Sequence, residues 1–60
     1  SFLDLDHAQP KAGYFVVAEK DMEQIKARYA DRYAFQLLTE TSHPLDELRQ
    51  RIQLYSFQGR

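Results

Sequence analysis

The sequence predicts a small α+β domain. The element order β-β-α-β-α is preferred, with β-β-α-α as the alternative, and two helices pack on one face of a short sheet. Three observations carry this expectation. The run YFVVAE at 14–19 is dense in aromatic and β-branched residues. Met22, Ile25, Tyr29 and Tyr33 recur at spacings of three and four, as one stripe of a helix does. Leu45, Leu48, Ile52 and Tyr55 repeat that spacing beyond the break TETSHP.

The elements follow in order. In FLDLD, Leu3 and Leu5 alternate with Asp4 and Asp6, the period-two mark of a half-buried strand. HAQPKAG is punctuated by Pro10 and Gly13 and reads as a loop. YFVVAE then forms the strongest strand, with either Val16 or Val17 facing inward. A helix opens near Asp21, whose carboxylate suits an N-cap, and Glu23 favours the same helix end. Phe35 and Leu38 fall off the stripe set by Met22, Ile25 and Tyr29. The helix is therefore expected to end near Ala30–Arg32, although no glycine marks a C-terminus there. A strand at 33–40 is preferred, with Tyr33, Phe35 and Leu37 on one face. A helix continuing to Leu38 is the alternative. Thr41 or Ser42 caps a last helix over about 43–57, with Pro44, Asp46 and Glu47 in its first turn. The core is expected to hold Leu3, Phe15, Val17, Met22, Ile25, Tyr29, Phe35, Leu37, Leu45, Leu48 and Ile52.

Sixty residues imply one domain over 1–60. Such a chain buries only about 60% of the surface its unfolded form exposes. Disulfides, a metal or association commonly supplement a core this small. There is no cysteine, so disulfides and thiolate metal sites are excluded and a reducing, cytoplasmic setting is favoured. No apolar run approaches the roughly 20 residues of a membrane span, and no signal peptide is apparent. The formal charge is −1. A nucleic-acid module usually carries a basic excess. Acids concentrate before residue 24 and bases after it, a mild polarity typical of solvated surface.

No catalytic constellation emerges. Ser42 and His43 are adjacent rather than arranged as nucleophile and base. Asp46 and Glu47 are consecutive. Gly13 and Gly59 are the only glycines, so no phosphate loop exists. In DLDH, Asp4, Asp6 and His7 supply fewer ligands than an oxygen-ligand metal site requires. The chain is expected to be no enzyme and to use no cofactor.

QLYSF at 53–57 leaves Leu54 and Phe57 off the apolar stripe of the last helix. Gln53, Leu54 and Phe57 resemble the short peptide with which bacterial replication proteins dock on the sliding clamp. Tyr55 and Ser56 depart from that pattern, and Tyr55 belongs to the helix stripe. The expected function is a non-enzymatic protein-interaction module, acting as adaptor, inhibitor or small assembly subunit. It would bind another protein, or itself as a homodimer, through Arg51, Gln53, Leu54 and Phe57 on the second face of the C-terminal helix. The alternative is nucleic-acid binding through Lys26, Arg28, Arg32, Arg49 and Arg51. A further alternative is a fragment of a larger enzyme, whose second apolar face is a cut interface.

Overall fold

The computed structural model describes residues 3–41 and 51–60. Within them lie two helices and a three-stranded antiparallel sheet: α1 (Leu5–Ala8), β1 (Ala12–Ala18), α2 (Glu19–Tyr29), β2 (Tyr33–Glu40) and β3 (Ile52–Gly59). The class is α+β, as expected. The element order differs from the expectation at both ends.

The first difference is at Leu3–Asp6. The predicted strand is instead an extended entry into one helical turn. Asp4 is the N-cap, and its Oδ1 accepts hydrogen bonds from the backbone N–H groups of Asp6 (3.0 Å) and His7 (3.1 Å). A capping carboxylate satisfies amides that the first turn leaves open, so the Asp/Leu alternation gives way to a cap. Gln9 ends the turn with φ at 49°.

The second difference is at 51–57. The expected C-terminal helix is replaced by β3, the central strand of the sheet, in the order β1-β3-β2. The part of that helix assigned to 43–50, with Leu45 and Leu48, lies outside the described residues. A central strand has neighbours on both sides and carries apolar residues on both faces. Ile52 and Tyr55, read as one helical stripe, point to opposite faces. The off-stripe Leu54 and Phe57 do so too, as successive residues of odd separation must in a strand.

β1 pairs with β3 from Ala12 opposite Gln58 to Ala18 opposite Ile52. β2 pairs with β3 from Tyr33 opposite Gly59 to Glu40 opposite Gln53, with a register shift between Leu37 and Thr39 that leaves Leu38 as an extra residue. Both outer strands run antiparallel to β3 and are therefore parallel to each other. α2 carries the chain from one edge to the other, and β3 fills the gap between them. This is a split β-α-β arrangement.

Apolar spacing makes α2, and its Met22, Ile25 and Tyr29 are all buried. The helix starts two residues before Asp21. Ala18 is the N-cap and makes no side-chain cap bond, so Asp21 is a first-turn acid rather than the cap. The helix ends without glycine: Ala30 stays right-handed, and the turn closes through Arg32 N–H to Tyr29 C=O at 2.9 Å. The chain then enters β2, the preferred reading of 33–40.

The core lies between the helices and one sheet face. Leu5, Met22, Ile25 and Tyr29 meet Tyr33, Tyr55 and Phe57, with Leu3, Phe15, Val17 and Phe35 packed alongside. Phe15 stacks on Tyr55 with ring centroids 5.7 Å apart, and Phe57 meets Tyr33 edge-on at 5.7 Å. Tyr29 bridges the layers. Its hydroxyl accepts from Leu5 N–H (3.2 Å) and donates to Leu3 C=O (3.3 Å). Two expected core residues are corrected. Leu37 is 44% exposed, beside the bulge. Ile52 is half-buried on the face opposite the helices.

Candidate interaction surface

The strand register defines a second sheet face. On β1 it carries Ala12, Tyr14, Val16 and Ala18; on β3, Ile52, Leu54, Ser56 and Gln58; on β2, Ala34, Gln36 and Thr39. Not one of these residues is charged, although 28% of the chain is. An antiparallel sheet with one wet face ordinarily alternates apolar-in with polar-out. Here Tyr14 is 73% exposed and Val16 67%, while Leu54 beside them is half-buried. No described helix covers this face. A shallow groove of about 320 Å³ runs across one end of it, lined by Val16, Leu54, Ile52 and Thr39, with Glu40 as its one charged lining residue. The uncharged apolar centre with an amide and hydroxyl rim matches the composition of an interface core, where charged residues are depleted.

The expected contact residues do not form one surface. Leu54 lies at the centre of the uncharged face. Phe57 is only 7% exposed and faces the helices. Gln53 is buried on that same side. Its Nε2 donates to Glu40 Oε1 at 3.2 Å, and its own Oε1 accepts no hydrogen bond among the described residues. Arg51 donates through Nη1 to Thr41 C=O at 3.0 Å, where β2 gives way to the chain leading to β3. With no helix at 52–59, a second helical face cannot unite these four side chains.

The cations of the nucleic-acid reading make internal contacts. Arg28 and Arg32 both donate to Asp6, the former at 3.0 Å, and both guanidinium groups lie over the Tyr29 ring. Hydrogen bonds from Arg32 and then Arg28 hold the Asp6 carboxyl below its ordinary pKa, and the same bonds raise both arginines. Lys26 sits 5.7 Å from the Tyr55 ring centroid. Arg49 lies outside the described residues. Asp4 and Asp6 are used as a cap and an ion-pair acceptor, and no metal-holding cluster of acids and histidines occurs among the described residues.

Sequence reasoning found Leu54 but missed Tyr14 and Val16. The signal was present in YFVV: an alternation between two apolar faces of which a helix can cover only one. No described helix is long and apolar enough to cross a membrane. No protein-family model matches the chain, and comparison with curated proteins and with solved structures returns no match.

Proposed function

We propose that the chain is a non-enzymatic protein-interaction module whose contact surface is the uncharged sheet face centred on Tyr14, Val16 and Leu54. The occupant is another protein presenting a flat apolar helix or strand face. The observation that carries this reading is the exposure of Tyr14 and Val16 on a face with no charge. Binding there buries apolar area without stripping water from ions, which is what makes such a contact favourable.

Site-specific photo-crosslinking tests the reading. A photoreactive residue replaces Ser56, at the middle of the uncharged face, or Glu23, exposed on α2. Adducts with another protein formed from position 56 and not from position 23 are the expected result. Adducts from position 23 alone, or equal capture from both, would contradict it.

A further inference from the structure

The outer edge of β1 is a second feature, separate from the sheet face. Gly59 N–H donates to Lys11 C=O at 2.7 Å, and Glu19 N–H donates to Arg51 C=O at 2.8 Å. These bonds bracket β1. In an antiparallel ladder the bonded pairs recur at every second residue. Gly13, Phe15 and Val17 therefore turn their backbone groups toward β3. Tyr14 and Val16 turn theirs outward, where no described residue bonds them. Exposed edges are normally protected by charge, proline or a bulge. β2 has its extra residue at Leu38. β1, with the sequence AGYFVVA, has none of these.

We infer that the β1 edge pairs antiparallel with β1 of a second copy of this chain, joining two three-stranded sheets into one. The register follows from the strand itself. A two-fold axis at Phe15 uses all of Ala12–Ala18 and sets Tyr14 opposite Val16 of the other copy. Both residues then exchange N–H and C=O in each direction, and each aromatic ring lies beside a β-branched side chain, a favourable cross-strand pair. The same axis sets Lys11 opposite Glu19 of the other copy, twice by symmetry. Both residues are exposed, Lys11 just before β1 and Glu19 as the first residue of α2. That charge complementarity selects a second copy as the occupant: the strand is neutral, and its two ends carry opposite charges at equal distances from the centre. A groove of about 290 Å³ between β1 and α2, lined by Leu3, Phe15, Val17 and Ile25 with the acidic residue Asp21, lies beside the incoming Phe15 ring. The pairing goes beyond the face contact, since it can form whether or not the uncharged face holds a partner.

The test is light scattering coupled to size exclusion, run on the whole chain from micromolar to millimolar concentration. The wild type is expected to dimerise. Lys11→Glu and Glu19→Lys should each weaken the dimer about tenfold, because each converts attracting cross-strand pairs into repelling ones. The double swap should restore it. An equimolar mixture of the two single variants should form a heterodimer tighter than either homodimer. That arm is decisive even if Glu19→Lys weakens the helix start, since a damaged fold is not rescued by mixing. A chain that stays monomeric throughout would overturn the inference. So would a dimer indifferent to both charge changes; it would place self-association elsewhere and leave the proposed face contact standing.

Discussion

Asp6 ties the first turn of the chain to the end of α2. Its carboxylate receives both Arg28 and Arg32, each of which also covers the Tyr29 ring. The folded carboxyl titrates below its ordinary value of 3.8. A lowered folded pKa means the ionised form is favoured by folding. Its contribution is complete above 3.8 and is lost as pH falls through the folded pKa. Asp6→Asn should therefore melt below the wild type at neutral pH, and the gap should close in strong acid. Thermal unfolding followed by circular dichroism at several pH values checks this; a gap that persists in strong acid would remove Asp6 ionisation as its cause. Gly13 makes a second residue-scale argument. It lies opposite Phe57, and a Cβ there would stand 2.9 Å from Phe57 Cζ and 3.0 Å from Cε1. The ring is held by its contacts with Phe15 and Tyr33. Gly13→Ala should cost about 1–3 kcal/mol by overpacking. Adding Phe57→Leu should make the alanine less costly in a double-mutant cycle, and strictly additive losses would contradict the contact.

At the scale of elements, β3 decides the architecture. Its odd-numbered side chains at 53, 55 and 57 are buried, while Ile52, Leu54 and Ser56 are half-buried on the other face. The two faces should respond differently to truncation. Phe57→Ala should cost about 3–5 kcal/mol, a large share of what a domain of this size has to lose. Leu54→Ser should cost only about 1 kcal/mol, since Leu54 is only half-buried. Denaturant melts of the two variants compare them directly, and equal losses would argue against opposite faces. The same element shows what local sequence carries and what it does not. α2 was legible because three buried residues at helical spacing make one stripe. β1 was legible from its aromatic and β-branched density, and β2 from the failure of Phe35 and Leu38 to continue the helical stripe. β3 was not, because Ile52 and Tyr55 happen to continue the spacing of Leu45 and Leu48, and the partners that make 52–59 a strand lie far away in the sequence. The misfit of Leu54 and Phe57 was the trace of that pairing. Part of the candidate surface was visible in Leu54. Tyr14 and Val16 were not, because YFVV does not say which of its faces the helix takes.

At the scale of the whole molecule, the split β-α-β arrangement leaves three kinds of surface among the described residues: a covered face, an uncharged open face, and two unlike edges. Among the described residues, each outer strand pairs with β3 and with no other strand. A chain ending at Ile52 loses the strand that both outer ones pair with, so it should lose the sheet as well as any binding. Among the described residues, β1 presents a regular, unpaired edge fit for a second copy. Amide hydrogen exchange read residue by residue, in dilute and in concentrated solution, tests it most directly. In dilute solution Phe15 and Val17, bonded to β3, should exchange slowly, while Tyr14 and Val16 exchange fast. In concentrated solution Tyr14 and Val16 should become protected, while the outward amides of Phe35 and Leu37 on the bulged β2 edge remain fast. Tyr14 and Val16 amides that stay fast at every concentration, or protection that appears on both edges alike, would contradict the account.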